Sequence, residues 1–540
     1  MTKRIFATSL ASLLPSLWTM AQEGPGRPFQ VEEATIADIH AAFEEGRLTC
    51  RALVQMYLDR IDAYEDRGPR LNAITTVNPN ALEAAEALDA AWQRSGPVGP
   101  LHCIPVLVKD NIHTADMPTT SGSAILKDFV PDEDAVLVRA LRDAGALLLG
   151  KAAMGELATG DYNTVDGQQR NPYNPKRGTG GSSSGAGAAV AANLTAVAVG
   201  TDTYTSVRTP AAFNGIVGLR PTTGLISRRG IATRKPMVDT AGPMARTVTD
   251  VAVLLNVLAG PDPEDPLSLG TYSEYPSTDF TRYLRRGALQ GARLGVVRTF
   301  FGGDPEIDDL AEDALAAMRR LGAELVEIRL DPDFVEQYLN NWLETLEAPL
   351  MYGYKEDWEA YLATLGPDVP KTVEEWVRIY ETDIARSAIP PAVGGFAALT
   401  ELRTALQHSS REPGYRDAID NVLPRLTRIK LSIFEEHAVD ALVFPYATTF
   451  APPINNPLET VVDPTFTPPP NPVPNPAHLG GYSSVGFPMI VVPMGFGGQG
   501  MPAGITFMGR PYSEGRIIGY AFDYEQETHM RRPSPLVPPL

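Results

Sequence analysis

Short apolar runs that alternate with amphipathic helical patterns constrain the fold of this chain more than any other feature. The run "CIPVLVK" is rich in β-branched residues, which is typical of a buried strand that ends near Lys109. The stretch "DAVLVRALRDAGALLLGK" predicts a helix, a glycine stop and a second buried strand. The same alternation returns in "ARLGVVRTF" and "AEDALAAMRRLGAELVEIRL". It predicts an α/β fold in which a sheet is covered by helices.

Other segments of the chain carry helical or proline-rich patterns without this alternation. Apolar residues at three- and four-residue steps predict two helices after Thr35, which is a plausible N-cap, and a third helix in "ALEAAEALDAAWQRSG". Residues 333–437 carry helical patterns rich in Trp, Tyr and Glu without a clear strand, which predicts a helical insertion. The proline-crowded stretch 452–476 predicts an extended surface loop. We expect residues 30–540 to form a single domain.

Composition restricts the class of protein. The chain has 540 residues, of which 44% are hydrophobic, as is typical of a globular enzyme. A net charge of −19 repels phosphate groups and anionic lipid, so we expect no nucleic-acid partner and no stable membrane association. The cysteines Cys50 and Cys103 are too few for a disulfide-rich scaffold or a multi-cysteine metal site. A single disulfide between them is one alternative, although two free buried thiols are the simpler interpretation.

The first residues have the pattern of an export signal. "MTKR" supplies a basic start, "IFATSLASLLPSLWTM" an apolar stretch, and Thr19-Met20-Ala21 an ending that approximates a cleavage site. The apolar stretch is too short and interrupted to favour a permanent membrane span. Residues 1–21 therefore predict a signal peptide and a periplasmic or secreted protein. The alternative is a nonspecific amphipathic tail on a cytoplasmic protein.

The histidines give little support for a histidine-based serine hydrolase. They are scattered, without metal-binding spacing and without a Gly-x-Ser-x-Gly nucleophile elbow. Lysine can replace histidine as the base if burial removes its charge. Lys109 follows an apolar run that should lie inside the sheet, so it is a candidate base. The alternative is a lysine that reaches the surface or forms an ion pair.

Two serine-containing turns follow this lysine. The stretch "GTGGSSSGAG" at 178–187 is either a flexible linker or a structured turn, and the apolar segment after it favours the turn. The stretch "LTAVAVGTDTYTSVRTPAAFNGIVGLRPT" predicts a strand, a tight polar turn that holds Ser206, and then a strand or short helix. A serine beside backbone N–H groups suits acyl transfer, whereas the alternative is a turn serine that satisfies its own backbone.

Together these stretches resemble the amidase signature family, serine hydrolases that use a Ser-Ser-Lys triad. The resemblance rests on "GGSSSGAG" and "GTDTYTSVRTPAAFNGIVGLRPT" and extends to "GPLHCIPVLVKDNIHTADMPTTSGS", "NPYNP", "DTAGPMARTVTD" and "MPAGITFMGRPYSEGRIIGYAFDYEQETH". These motifs occur in order over roughly residues 34–532. The resemblance implies a central mixed β-sheet covered on both sides by α-helices. It also implies hydrolysis of a carbon–nitrogen amide bond without a metal or organic cofactor.

The resemblance assigns the triad residue by residue. Lys109 in "VKDN" corresponds to the buried base, Ser182 to the bridging serine and Ser206 to the nucleophile. In the family the bridging serine precedes the nucleophile by 24 residues, which is also the spacing between Ser182 and Ser206. The family has a cis peptide before the bridging serine, which here would be the bond between Gly181 and Ser182.

Three further residues are expected to support the two turns. Ser183 follows Ser182 in the serine run and, on the family spacing, lies outside the triad. Asp202 and Arg208 flank the turn that carries Ser206. We expect them to brace this turn by ion pairing and hydrogen bonds.

The resemblance places an oxyanion hole in the backbone N–H groups from Thr203 to Ser206. The chain departs from the family here, because Tyr204 and Thr205 occupy positions that are usually glycine. We interpret the retained flanks "GTD" and "SVRTPA" as evidence that the backbone keeps its shape in a conformation open to L-residues. The alternative is a distorted hole. Tyr204 would then narrow the acyl pocket, which affects the range of substrates more than the reaction.

The sequence constrains the identity of the substrate less than it constrains the type of reaction. "TTGLISRRGI" and "DTAGPMARTVTD" resemble the peptide amidase branch, which removes the amide from peptide C termini, but aryl-acylamide and carbamate hydrolases share much of this pattern. We expect a peptide C-terminal amide or a small-molecule amide as substrate, and a monomer or homodimer. One alternative is a glutamine-dependent amidotransferase subunit, which needs partner proteins. Another is a catalytically silent binding homologue, which the replaced glycines suggest.

Overall fold

The fold is built on strands drawn from most of the chain. The structure is a computed structural model that describes residues 29–65, 67–269, 278–386 and 397–540. The strands are Ile74–Val77 (β1), Pro105–Lys109 (β2), Leu147–Ala152 (β3), Tyr162–Asn163 (β4), Gly167–Gln168 (β5), Val197–Asp202 (β6), Val217–Arg220 (β7), Thr240–Ala245 (β8), Arg293–Val297 (β9), Glu324–Ile328 (β10), Ala441–Pro445 (β11), Met489–Phe496 (β12) and Pro502–Met508 (β13). Strands β4 and β5 form a small separate ribbon.

The remaining strands form one eleven-stranded mixed sheet in the order β1-β3-β2-β6-β8-β7-β12-β13-β11-β9-β10. Strand β2 pairs in parallel with β3 and β6, whereas β6 and β8 pair antiparallel. Every residue of β2, β3, β6 and β8 is buried, so both faces of the sheet are covered there. The predicted mixed sheet with helices on both sides is confirmed.

The helices lie where the apolar periodicity predicts them. Thr35 caps the first helix, since its side chain accepts from the Asp38 amide at 3.1 Å while its own amide donates to Asp38 Oδ2 at 3.0 Å. The α-helices outside the region 333–437 are Ile36–Glu44, Cys50–Tyr64, Ala81–Ser95, Val136–Asp143, Ser184–Ala191, Arg208–Phe213, Val248–Leu258, Pro305–Arg320, Ala477–Gly481 and Glu514–Thr528.

The described residues between 332 and 437 form helices and no strand, as their patterns predict. Buried aromatic side chains hold this region together, among them Trp358 and Trp376, whose rings meet edge to face with centroids 5.2 Å apart. The α-helical segments are Pro332–Phe334, Ala348–Met351, Tyr354–Ala363, Val373–Thr382, Ala397–Ala405, Pro413–Asp417 and Leu423–Glu436, and the π-helical segments are Val335–Asn340, Leu343–Glu347 and Ala418–Val422.

The proline-rich stretch 452–476 contains no helix and no strand of a sheet, because proline removes backbone donors. Part of this stretch is buried, however. Asp463 is buried and pairs with Arg177 at 2.5 Å, and the Arg177 side chain also donates to the carbonyl oxygen of Ala451 at 2.7 Å. A buried arginine therefore anchors this segment.

The two cysteines form a disulfide, so the interpretation as two free buried thiols was wrong. Cys50 begins the second helix and Cys103 lies just before β2, with their Cα atoms 5.7 Å apart. The bond closes a sequence separation of 53 residues and ties the N-terminal helices to the sheet.

The predicted leader, residues 1–21, lies outside the described residues. Within the part of the chain that the structure describes, no helix has the length and apolar character needed to cross a membrane.

Candidate functional site

Lys109 lies at the carboxyl end of β2, where the apolar run of the strand buries its side chain completely. Its Nζ donates to Ser182 Oγ at 2.7 Å, to Thr201 Oγ1 at 2.9 Å and to the Thr201 carbonyl oxygen at 3.3 Å. Burial lowers the pKa of this amine to about 7, against a weaker opposing effect of Asp202 and Asp239. The amine can therefore be neutral near physiological pH.

Ser182 lies in the glycine-rich turn before the helix Ser184–Ala191. The peptide bond between Gly181 and Ser182 is cis, as the family resemblance implies. Gly181 has to be glycine, because a Cβ there would lie 1.8 Å from the carbonyl oxygen of Gly160. The run "GTGGSSSGAG" is thus a structured turn packed against neighbouring backbone and not a linker.

Of the two other serines of the run, Ser183 holds this turn in place. Ser183 Oγ donates to the Thr201 carbonyl oxygen at 3.1 Å and accepts from the Thr201 amide at 3.2 Å. The Ser183 amide donates to the carbonyl oxygen of Ser206 at 3.2 Å, which joins the two predicted turns. Ser184 Oγ donates to Gln169 Oε1 at 3.0 Å and so faces another segment.

Ser206 lies in the turn between β6 and the helix Arg208–Phe213, beside the glycine-rich turn. Its hydroxyl makes no hydrogen bond with a described residue, so the link from Ser206 to Ser182 is not closed in this structure. Catalytic hydrogen bonds of substrate-free enzymes are often long and tighten when substrate binds. The side chains of Lys109 and Ser182 are therefore in direct contact. Ser206 is held beside them by the backbone hydrogen bond between its carbonyl oxygen and the Ser183 amide.

The backbone of the Ser206 turn has the conformation expected for ordinary residues. Neither Tyr204 nor Thr205 has a positive φ, so the loss of the usual glycines does not strain the backbone. The amide N–H groups from Thr203 to Ser206 make no hydrogen bond among the described groups. They remain free to act as donors.

Asp202 braces this turn with two arginines. It pairs with Arg208 Nε at 3.1 Å and with Arg220 Nη1 at 2.9 Å, and it accepts from the Val207 amide at 3.0 Å. Burial alone would raise the pKa of this carboxyl, but the two guanidinium groups hold the pKa well below its usual range. The sequence predicted Asp202 and Arg208 but missed Arg220, whose only signal was its place in the motif "GLRPT".

The Tyr204 side chain enters a cluster of aromatic and charged groups. Its ring stacks on Tyr482 and lies against Trp342, with centroids 5.5 Å apart in both cases. Its hydroxyl accepts from Arg234 Nη1 at 3.3 Å, and burial raises the pKa of this hydroxyl to about 12. Gly481 makes room for it, because a Cβ there would lie 2.5 Å from Tyr204 Cβ.

Arg234 joins this cluster to the helical region. Its Nη2 pairs with Glu347 at 3.0 Å and with Glu401 at 2.5 Å, and the neighbouring Lys235 also pairs with Glu347. Sequence reasoning missed these contacts because more than 100 residues separate the partners, and no local pattern links them.

The described residues support neither a histidine-based catalytic triad nor a metal site. His40 bonds to a backbone carbonyl oxygen, His113 to a tyrosine, and His478 to a backbone carbonyl oxygen and the Asn475 side chain. No described histidine bonds to Ser182 or Ser206. No group of three or more His, Cys, Asp or Glu side chains in the described segments is arranged to hold a metal ion.

The sequence model of the Amidase family matches residues 52–518. The chain belongs to the Amidase family. Its resemblance to the amidase signature family is thereby confirmed, and this amidase is an amide-hydrolysing enzyme.

The chain is similar to amidotransferase subunits and to a peptide amidase. A glutamyl-tRNA(Gln) amidotransferase subunit of Chloroflexus aurantiacus is 34% identical over 525 residues, which cover 93% of this chain and 99% of that protein. The structure of native peptide amidase from Stenotrophomonas maltophilia matches with a TM-score of 0.80 and 35% identity, covering 93% and 98% of the two chains. The structure of a glutamyl-tRNA(Gln) amidotransferase subunit from Thermotoga maritima matches with a TM-score of 0.67 and 25% identity, covering 94% and 98%.

Proposed function

We propose that this amidase cleaves its substrate through an acyl-enzyme on Ser206, with Ser182 and Lys109 as the proton relay. The hydrogen bond of 2.7 Å between Lys109 Nζ and Ser182 Oγ carries the proposal. The other partners of Lys109 are the hydroxyl and carbonyl oxygens of Thr201, and no described carboxylate lies within ion-pair distance of the amine. A buried amine with such neighbours suits a neutral base better than a structural charge.

The relay transfers one proton in each direction. As Ser206 Oγ attacks the amide carbonyl carbon, its proton passes to Ser182, whose own proton passes to the neutral Lys109. The same path returns the proton to the nitrogen of the substrate when the carbon–nitrogen bond breaks. Water then attacks the acyl-enzyme, gives its proton to the relay and releases the acid together with free Ser206.

The backbone N–H groups from Thr203 to Ser206 are proposed as the oxyanion hole. They lack partners among the described groups, and the turn that presents them is held by Asp202 with Arg208 and Arg220. Donors that are fixed before the reaction stabilise the developing oxyanion without the cost of reorganisation. The ion pairs therefore contribute to catalysis indirectly, through the position of the turn.

A peptide C-terminal amide or a small-molecule amide is the proposed substrate. The similarity to a structure named as a peptide amidase supports this class. The helical region 333–437, proposed as a substrate-binding insertion in a single domain of residues 30–540, supplies Trp342, Glu347 and Glu401 to the cluster around Tyr204. We propose that this cluster limits the size of the acyl group that the enzyme accepts.

A glutamine-dependent amidotransferase subunit is the second candidate. The 34% identity to a subunit of that name favours it. The structural match is weaker, however, with a TM-score of 0.67 against 0.80 for the peptide amidase, and the net charge of −19 disfavours contact with tRNA. Turnover of free glutamine but of no peptide amide or other small amide would favour this candidate.

We also propose a periplasmic or secreted location. The disulfide between Cys50 and Cys103 supports it, because such bonds persist in oxidising compartments. Alkylation of free thiols followed by intact-mass measurement tests it on protein from the native cell. Two alkylated cysteines without reductant would favour a cytoplasmic protein instead.

Covalent labelling tests the proposed reaction. A phosphonyl fluoride should label Ser206, as read by mass spectrometry of the digested protein, and Ser206→Ala should lose both the label and the amide turnover. Ser184→Ala is the matched control, because Ser184 bonds to Gln169 away from the relay, and it should keep both. Absence of label on Ser206 in a folded protein would contradict the proposal and favour a catalytically silent binding protein.

A further inference from the structure

The loop that follows strand β3 lies against the glycine-rich turn that carries Ser182. The amide of Gly155 donates to the Ser182 carbonyl oxygen at 3.1 Å. The carbonyl oxygen of Gly160 packs between two glycines, because it would lie 2.0 Å from a Cβ at Gly155 and 1.8 Å from a Cβ at Gly181. Residues 155–160, which we call the support loop, therefore form a wall against which the Ser182 turn rests.

The backbone of the support loop is strained. Leu157 and Ala158 have φ angles of 48° and 64°, a left-handed conformation that residues with a Cβ rarely adopt. Two such residues in succession persist only where the surrounding structure fixes them. The support loop therefore needs an anchor to other parts of the fold.

Glu156 supplies this anchor. Its side chain is buried, and its carboxyl group accepts from the Thr164 amide at 2.6 Å, from Thr164 Oγ1 at 2.9 Å and from the hydroxyl of Tyr380. Tyr380 is fully buried in the helix Val373–Thr382 of the helical region, and its hydroxyl also bonds to Ser123 Oγ at 2.6 Å. One carboxyl group thus fastens the support loop to the helical region.

Glu156 acts as a hydrogen-bonding group and not as a charge. None of the described lysines, arginines and histidines forms an ion pair with it, and its printed partners are an amide and two hydroxyls. Burial raises the pKa of this carboxyl group to about 8, against the opposing effect of these hydrogen bonds. The group is therefore mainly neutral at physiological pH.

We propose that Glu156 is a positioning residue, which keeps Ser182 within reach of Lys109 by fastening the support loop to the helical region. The inference rests on the proposed acyl-enzyme mechanism. Glu156 acts through its neighbour Gly155, whose amide holds the Ser182 carbonyl oxygen. Because Ser182 transfers protons in that mechanism, a shift of its turn slows the chemical step more than it weakens substrate binding.

Two substitutions of Glu156 test this role by steady-state kinetics. Glu156→Leu removes the hydrogen bonds with little change in volume, and kcat for the best amide should fall about 10- to 100-fold, since small displacements of reacting groups cost up to about 100-fold. KM should stay within about threefold. Glu156→Gln keeps a neutral hydrogen-bonding group of the same shape and should recover most of the loss.

Three outcomes in folded protein would overturn the inference. The first is full kcat in Glu156→Leu, and the second is a rise in its KM without a fall in kcat. The third is a Glu156→Gln variant as slow as Glu156→Leu, because the charge of the carboxylate would then matter more than its hydrogen bonds.

Asp523→Leu is the matched control. Asp523 is an equally buried carboxyl group in the helix Glu514–Thr528, where it accepts from the amides of Gly287 and Leu289 at 3.0 Å. Its replacement should lower the free energy of unfolding and leave kcat unchanged. An equal loss of kcat in Asp523→Leu and Glu156→Leu would mean that only general stability was lost, and the inference would fail.

Tyr380→Phe keeps the inference testable if Glu156→Leu does not fold. It removes the hydroxyl that joins the helical region to Glu156 and keeps the buried ring, and kcat should fall about fivefold, as is typical for the loss of one hydrogen bond. Tyr64→Phe is the control, because the Tyr64 hydroxyl bonds to the Pro538 carbonyl oxygen at 2.7 Å, in another part of the fold. Unchanged kcat in Tyr380→Phe would overturn the inference.

Labelling of Ser206 separates this inference from the proposed function. A phosphonyl fluoride should label wild type at Ser206 and should label Glu156→Leu more slowly. If wild type and Glu156→Leu are labelled and turn over substrate at equal rates, the mechanism stands and the role of Glu156 is wrong. If wild type is not labelled at Ser206, the proposed mechanism fails and the inference fails with it.

Discussion

Two buried lysines on neighbouring strands of the sheet have opposite surroundings. Lys109 ends β2 and Lys151 lies in β3, opposite Val108, and both side chains are fully buried. Lys151 lies 3.4 Å from Asp110 and donates to the carbonyl oxygen of Ile112 and to Thr119 Oγ1. Lys109 has no carboxylate partner among the described residues and donates instead to the hydroxyls of Ser182 and Thr201.

The difference bears on which buried amine we propose as the base. Burial lowers the pKa of both lysines, so a low pKa by itself does not distinguish them. Lys430 strengthens the point, because burial lowers its pKa to about 7 as well, yet it donates to the backbone carbonyl oxygen of Tyr482. Of these three lysines, Lys109 alone is hydrogen-bonded to a serine that lies beside a second serine in a turn. The proposal of Lys109 as the base therefore rests on its hydrogen-bond partner more than on its burial.

Removal of Lys109 should have the largest effect on the reaction. Lys109→Met replaces the amine with an apolar group of similar length, and kcat/KM for the best amide should fall by about 10²–10⁴-fold because general-base catalysis is lost. Steady-state kinetics measure the fall, and a thermal unfolding curve shows that the variant is folded. Unchanged turnover in Lys109→Met would remove lysine from the mechanism.

Removal of Lys151 should damage stability instead. Lys151→Met leaves the buried Asp110 without its ion-pair partner, which costs about 3–5 kcal/mol in comparable cases. Chemical unfolding should show this loss, and the double variant Lys151→Met with Asp110→Asn should recover part of it. A fully stable Lys151→Met that has lost its turnover would mean that the roles of the two lysines are reversed.

Loss of the Thr201 hydroxyl should have a smaller effect. Thr201→Val removes one of the three hydrogen bonds of Lys109, and a bond of this kind contributes about 1 kcal/mol, so kcat/KM should fall by several-fold. Thr195→Val is the control, because Thr195 is a buried threonine that bonds to Pro105 at the opposite end of β2. If both variants lose activity equally, Thr201 acts only through general stability.

The sequence predicted the local structure around the candidate site, namely a buried strand end and two structured turns. The apolar run of β2 placed Lys109 at a buried strand end, and the resemblance selected Ser182 and Ser206 from several serines. Contacts between distant segments could not be predicted in this way. The partners Cys50 and Cys103, Arg220 and Asp202, and Arg234 and Glu401 meet only because the sheet and the helical region bring them together.

Tyr204 illustrates both what a local pattern predicts and what depends on distant segments. The expectation that the backbone of the turn keeps an ordinary conformation rested on its retained flanks and agrees with the absence of a positive φ at this residue. The reason that so large a side chain fits lies far along the chain, at Gly481, whose missing Cβ leaves the necessary space. A local pattern does not contain that information.

The pH dependence of Ser206 labelling tests the central claim most directly. If the neutral form of Lys109 is the base, as we propose, the rate of reaction with a phosphonyl fluoride should rise with pH and level off above a midpoint of about 7. In Lys109→Met this midpoint should disappear and the rate should stay low through the same range. The same midpoint in wild type and Lys109→Met would contradict the account, because another group would then activate Ser206.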